Sequence, residues 1–329
     1  MSSLQKLERD RTRADLASLN ALLAQLTDED VLMRSGLESR RDELAASIAA
    51  LDKAPEHTAS AALFFGGRPV AGARGVEAEF GGNAAVMFQD LVAKLHAQVG
   101  GSLGQRGVVP NKAAATLHIT NVVRGSFGFL LEEVGQQFVD TALKTAVDKA
   151  AQLLGAIAEP DNDKFQEAVE AVDQRVLATA RDFFELVNQS GATFRLVVGD
   201  ADTSFGVDAV ARAADRARST TVEDAEETRE GQLAGFLPDA HQFEFRTEGG
   251  TVRGKVDRAI PAGWLAEANR ELVNVEAKAR FQVKRVRQKG HVVRQSWTLL
   301  RIDAAKANME QAVRVHLGPD PEQSGADEV

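Results

Sequence analysis

The spacing of apolar residues along this chain changes twice, and these changes constrain the fold more than any motif does. Over the first 55 residues, leucines recur at helical spacing. Between residues 58 and 218, strand-like stretches alternate with longer stretches of helical period, and after residue 232 short strand-like runs follow one another between turns. The sequence therefore predicts an α+β protein with an N-terminal, coiled-coil-like helical hairpin, a central, mostly antiparallel sheet covered by helices, and a C-terminal small β-barrel-like domain.

Composition places the boundaries between these parts. We expect a helical hairpin at 1–55, an α+β domain at 58–218 and a small β-domain with a closing helix at 232–315. An acid-rich stretch at 219–231 predicts a linker, and a second one predicts a disordered acidic tail at 316–329. The density of turns in the β-domain is compatible with an OB-like or an SH3-like barrel.

Two apolar stripes in the N-terminal hairpin predict that it packs against something else. The stripes run along the two helices and consist of Leu16, Leu19, Leu23 and Leu26 in the first and Leu37, Leu44, Ile48 and Leu51 in the second. Each stripe is only about two heptads long, which is too short for a stable isolated coil. The partner is either a second copy, giving a homo-oligomer, or the body of the same chain.

Composition also excludes several classes of protein. The chain has no cysteine, which rules out disulfides, thiolate zinc sites and cysteine nucleophiles and fits a reducing cytoplasm. It has no run of 18 apolar residues, and its first residues lack the apolar core of a signal peptide. We therefore expect a soluble, cytoplasmic protein with no membrane partner.

No catalytic motif survives inspection of its spacing. The stretch around Ser126 lacks the first glycine of a nucleophile elbow, because residue 124 is arginine, and no phosphate-binding loop is present. The six histidines are scattered, and the pair Asp200 and Asp202 is a weak magnesium signal that a turn and a helix start explain better. We predict no catalytic residue, no metal and no cofactor, and a function more typical of a non-enzyme.

Arginines in glycine-rich turns suggest one small-ligand site. Arg68 and Arg74 lie in "GGRPVAGARG", and Arg124 precedes a glycine in a second predicted hairpin. If the two hairpins are neighbours, the three guanidinium groups converge on an anion such as a nucleotide or a phosphate. The alternative is that the glycines serve the turns and the arginines are solvated.

The most informative feature is a basic segment in an acidic protein. The formal net charge of the chain is −9, yet residues 251–301 contain twelve Lys or Arg and four Asp or Glu. Within it, a predicted β-hairpin carries six cations and no acid, namely Arg280, Lys284, Arg285, Arg287, Lys289 and Arg294. Such a surface suits nucleic acid, with Phe281 and Trp297 as candidates for base stacking, or an acidic protein surface, which includes this chain's own acidic linker or tail.

These observations lead to one main functional hypothesis and two alternatives. We expect a non-enzymatic nucleic-acid-binding or assembly subunit, which acts through the basic hairpin and the helical oligomerisation hairpin and belongs to a larger complex. The first alternative is a protein-interaction or regulatory subunit with a small-anion site at the glycine-arginine turns. The second is a metal-dependent enzyme that uses Asp200 and Asp202.

Overall fold

The structure is a computed structural model, and it describes residues 2–26, 30–53, 57–101, 103–104, 106–123, 127–135 and 137–304. The chain is α+β and divides into two compact units, Met1–Thr220 and Thr221–Val329. The predicted helical and α+β segments, 1–55 and 58–218, both fall in the first unit. The acidic tail at 316–329 and most of the predicted closing helix lie outside the described residues.

A five-stranded antiparallel sheet forms the centre of the first unit, as the alternating periodicity predicts. Its strands are β1 (Ser60–Gly67), β2 (His118–Val123), β3 (Gly128–Glu132), β4 (Ala192–Val198) and β5 (Ala201–Phe205). Their spatial order is β2-β3-β1-β4-β5, so β1 is central and β2 and β5 are the two edges. β1 is almost entirely buried, which explains why its sequence is apolar throughout rather than alternating.

Helices cover one face of this sheet. They are α3 (Ala78–Gln98), α4 (Ala142–Ala158), α5 (Asn162–Glu170), α6 (Gln174–Gln189) and α7 (Val207–Arg218), together with a 3₁₀ turn at Lys112–Ala115. Phenylalanines fill the space beneath them, and the rings of Phe194 and Phe205 stack with centroids 4.1 Å apart. Because adjacent strand residues point to opposite faces, Phe65 belongs to this core while Phe64 lies in a smaller cluster on the other face.

The start of the chain covers that second face. The first helix, α1 (Ser3–Leu23), begins at a capping box between Ser2 and Gln5, and Leu4 and Leu7 pack against the Phe64 cluster. Ser3 is fully buried: its amide donates to Ser60 Oγ at 3.1 Å, and its hydroxyl lies 2.9 Å from the carbonyl oxygens of Ser60 and Val197. The second helix, α2, spans Val31–Lys53.

The second unit contains a closed five-stranded barrel, in agreement with the predicted small barrel. Its elements are β6 (Thr220–Leu237), β7 (Gln242–Thr247), β8 (Gly250–Val256), α8 (Ala262–Leu272), β9 (Glu276–Gln288) and β10 (His291–Ala304). The order around the barrel is β10-β8-β7-β6-β9, and β8 and β10 are parallel. Phe243, Phe245 and Phe281 are buried at its centre.

The acidic stretch at 219–231 is not a linker. From Thr220 onward it forms the first part of β6, so the barrel begins about twelve residues earlier than its apolar pattern indicates. A high density of acids is typical of solvated chain, but here the acids stand beside the cations of a neighbouring strand.

The close approach of β8 to β10 gives a test of barrel closure. A Cβ atom added at Gly254 would overlap the carbonyl oxygen of Trp297, whereas one added at the exposed Gly263 of α8 would meet nothing within 4 Å. We expect Gly254→Ala to lower the free energy of unfolding of the barrel by about 1–3 kcal/mol, as overpacking does. Gly263→Ala should leave it unchanged or raise it by up to about 1 kcal/mol.

Urea unfolding followed by tryptophan fluorescence measures this effect in the barrel alone, since the two tryptophans of the chain, Trp264 and Trp297, both lie in the second unit. Equal stability of the two variants would contradict the close strand contact.

Candidate functional surfaces

A ladder of ion pairs joins the acidic strand β6 to the basic strand β9. The two strands are neighbours in the barrel, with the acids on β6 and the cations on β9. The pairs are Glu223–Arg287 at 2.9 Å, Asp224–Lys284 at 3.9 Å, Glu226–Arg280 at 3.8 Å, Glu230–Lys278 at 3.6 Å and Glu227–Arg285. We call this set the β6–β9 ladder.

The Glu227–Arg285 pair is the most protected step of the ladder. Only 20% of the Arg285 side chain and 21% of the Glu227 side chain are exposed. The hydrogen bond from Arg285 holds the pKa of the Glu227 carboxyl below its ordinary value, and Arg229, 2.7 Å away, acts in the same direction. The pair therefore stabilises the barrel above the ordinary pKa of a glutamate, and this contribution is lost as the pH falls through the lowered pKa.

The acids of the β6–β9 ladder balance most of the positive charge of the basic segment, residues 251–301. The described part of the second unit, residues 221–304, contains 14 Lys or Arg and 13 Asp or Glu, so its net charge is close to zero. The local excess of cations arises because a sequence window that begins at residue 251 leaves out the acids of β6, which precede it. Opposite charges on neighbouring strands are close in space although about 60 residues separate them in sequence.

The six cations of the predicted nucleic-acid surface thus have different surroundings. Arg280, Lys284, Arg285 and Arg287 each contact a carboxylate of β6. Lys289 lies in the turn between β9 and β10 with φ 50°, and Arg294 lies on β10 opposite Val286.

The two aromatic residues proposed to stack bases face the barrel core. Phe281 is completely buried, and Trp297 packs edge-on against it with ring centroids 5.5 Å apart. The Phe281 ring is therefore unavailable to a base.

The glycine-arginine turns hold their arginines at the surface. Arg68 donates to the carbonyl oxygen of Gln189 at 3.4 Å, and Arg74 is exposed in a tight turn closed by a hydrogen bond from Ala71 to Gly75. Arg124 lies outside the described residues. Convergence of the three arginines on an anion accordingly stays a prediction.

Asp200 and Asp202 are each paired with cations. Arg195 binds Asp202 through two hydrogen bonds of 2.7 and 2.6 Å, and Lys6 of α1 approaches the same carboxylate at 3.2 Å. The hydrogen bonds from Arg195 are the main cause that lowers the Asp202 pKa to about 2. Arg9 contacts Asp200 at 2.9 Å, and the described residues contain no group of three or more His, Asp or Glu placed to hold a metal. These carboxylates therefore fix α1 to the β4–β5 turn.

Helices α1 and α2 pack on each other and leave apolar surface exposed; we call them the α1–α2 pair. They run antiparallel, since Arg9 near the start of α1 contacts Asp52 at the end of α2 at 3.2 Å. All eight residues of the two apolar stripes remain partly exposed. At the far end of the pair, four more apolar side chains are largely exposed, namely Leu22, Val31, Leu32 and Met33. Sequence reasoning missed this end, although the run "VLM" at the start of α2 was visible.

Comparison with models of protein families, with curated proteins and with solved structures finds no match in any of the three. In the stretches for which helices are described, none is both long and apolar enough to cross a membrane. The functional inference therefore depends on the surfaces described above.

The protected ion pair gives a test of the ladder. Arg285→Ala should lower the free energy of unfolding of the barrel by about 1–2 kcal/mol, because Glu227 stays half-buried and loses its main donor. Lys289→Ala, in the same hairpin, should change it by less than about 0.5 kcal/mol. Urea unfolding monitored by tryptophan fluorescence measures both.

In a Glu227→Gln background, the cost of Arg285→Ala should shrink, because the carboxylate is no longer there to be left without its partner. Additive effects of the two substitutions would argue against the pair.

Proposed function

We propose that this protein is a non-enzymatic assembly subunit that associates with a second copy through the α1–α2 pair. The observation that carries the proposal is the exposed apolar end of the pair, where 91% of the Leu32 side chain is accessible. A cluster of large apolar side chains on a surface is typical of an interaction site.

The geometry of the pair favours a second copy as the partner. Two helices packed together bury only one side of each apolar stripe, and the residues of both stripes here stay partly exposed. Two such pairs joined face to face make a four-helix bundle, in which every stripe residue points to a shared core. Among the described residues, Ser3, Leu4 and Lys6 fix the first turns of α1 to the sheet. Arg9 adds a contact with Asp200, and we infer that the far end of the pair is available to a partner.

Removing apolar surface from the end of the pair should disrupt association. The double substitution Leu32→Glu and Met33→Glu is expected to halve the molar mass at micromolar concentration, measured by light scattering after size exclusion. Thermal stability should change little, because both side chains are exposed in the single chain.

The matched control is Val86→Glu with Val207→Glu, which places two acids at exposed valines on helices α3 and α7. Equal masses for the two double variants would rule out the α1–α2 pair as the interface.

The barrel supports a second candidate function, binding of nucleic acid. Its five strands, the helix between the third and the fourth, and the parallel pairing of the third with the fifth correspond to the topology of OB-folds. OB-folds bind oligonucleotides or oligosaccharides on the second and third strands and adjoining loops. In this chain that region carries Arg246, Arg253, Lys255 and, in the last turn, Lys289.

This candidate places the binding residues away from the β6–β9 ladder. We expect Lys255→Glu with Lys289→Glu to weaken binding of a single-stranded oligonucleotide, and to reduce the slope of log affinity against log salt by about 1–2. Arg74→Glu in the first unit should have no such effect. An oligonucleotide affinity that is insensitive to salt, or that falls only with Arg74→Glu, would contradict binding by the barrel.

A further inference from the structure

In the part of the chain that the structure describes, one edge of the central sheet is exposed from His118 to Val122. β2 is the outermost strand, and its residues from His118 to Val122 are all exposed. The Ile119 and Val122 side chains are 52% and 45% accessible. An edge strand of this kind has backbone N–H and C=O groups that can pair with another strand.

A β-bulge places the two apolar side chains on the same face. Ile119 is opposite Leu131 and Val122 is opposite Phe129, with a register shift between Ile119 and Asn121. Leu131 and Phe129 are two residues apart and therefore point to the same face. In a regular strand, Ile119 and Val122 would point to opposite faces, so the extra residue Thr120 creates an apolar strip at the edge.

The apolar strip on β2 is continuous with the hydrophobic core of the sheet through Phe129. Phe129, next to Val122, is partly exposed, and its ring contacts Phe65 with centroids 6.1 Å apart and Phe127 with centroids 5.5 Å apart. A strand added beside β2 would cover Val122 and Phe129 together.

The opposite edge of the sheet, β5, carries a charged side chain. β5 carries Asp202, held by Arg195 and Lys6, and charged groups on an edge strand oppose its pairing with another chain. β2 contains no Lys, Arg, Asp or Glu between residues 118 and 123. The two edge strands therefore differ: β5 carries a charged side chain that opposes pairing with another chain, and β2 does not.

We propose that β2 pairs antiparallel with β2 of a second copy. The sequence of the strand is self-complementary in the register that places Ile119 opposite Val122, Thr120 opposite Asn121 and His118 opposite Val123. Side chains of directly opposed residues share a face, and the bulge gives Ile119 and Val122 that common face. The two sheets then form one ten-stranded sheet about a two-fold axis perpendicular to it, with no charge of either sign opposed to a like charge. This interface is distinct from the α1–α2 pair.

Because the chain has no cysteine, engineered disulfides can test the register. A chain carrying Ile119→Cys, mixed with a chain carrying Val122→Cys, should give a cross-linked heterodimer under mild oxidation. Directly opposed residues have Cα atoms about 4.5–5.5 Å apart, which a disulfide spans. Each chain alone should give no cross-link, because identical positions are then about 11 Å apart.

The matched control mixes Val108→Cys with Val139→Cys, two exposed valines outside β2, and should not cross-link. No heterodimer in the β2 mixture would overturn the proposal, as would equal cross-linking of either chain alone.

The same mixture separates this interface from the proposed function. With Leu32→Glu and Met33→Glu added to both chains, the α1–α2 association is removed and the β2 cross-link should remain. Loss of the cross-link only in that background would contradict an independent β2 interface. An unchanged molar mass on adding the two glutamates would instead count against the α1–α2 pair and leave the β2 result standing.

Discussion

The pairing of acids on β6 with cations on β9 is the interaction on which the second unit depends. A closed barrel requires β6 and β9 to lie side by side, and either strand alone would present a row of like charges to its neighbour. Each step of the ladder neutralises one such charge, and the half-buried Glu227–Arg285 step does so where water screens least. The described part of the second unit is therefore close to neutral. The cations of β9 stabilise the barrel by pairing with the acids of β6, and this pairing reduces the net positive charge that they present to a partner.

In the first unit, a comparable anchor determines what remains available for binding. Ser3, Lys6 and Arg9 fix the beginning of α1 to the sheet and to the β4–β5 turn. Ser3 is buried and hydrogen-bonded to backbone carbonyl groups of the sheet, and only 8% of the Lys6 side chain is exposed. Displacing either side chain would leave buried polar groups without partners, which costs free energy. The helix pair is therefore fixed at one end and apolar at the other.

Local patterns predicted the helix-covered sheet and the small barrel, because these depend on periods of two and 3.6 residues. Contacts between distant residues escaped prediction. The helical period over residues 163–188 predicts one helix, whereas the structure has two, α5 and α6, since Val172 turns inward and the Asp173 carboxylate accepts from the Leu103 amide. The role of 219–231 likewise depends on β9, some 60 residues away, and composition alone cannot reveal such a neighbour. The candidate surfaces show the same limit: the six cations were visible in sequence, but their partners were not.

The two proposed interfaces lie at different parts of the first unit, and this affects what they can build together. α1 is fixed near β1, β4 and β5, whereas β2 forms the other border of the sheet. Each proposed contact is two-fold symmetric, and two such contacts on one chain would generate either a closed tetramer with dihedral symmetry or an open row of subunits. The angle between the two axes would decide whether the assembly closes. Strand pairing would fix the axis of the β2 contact through backbone hydrogen bonds, whereas side-chain packing alone would fix the axis of the α1–α2 contact.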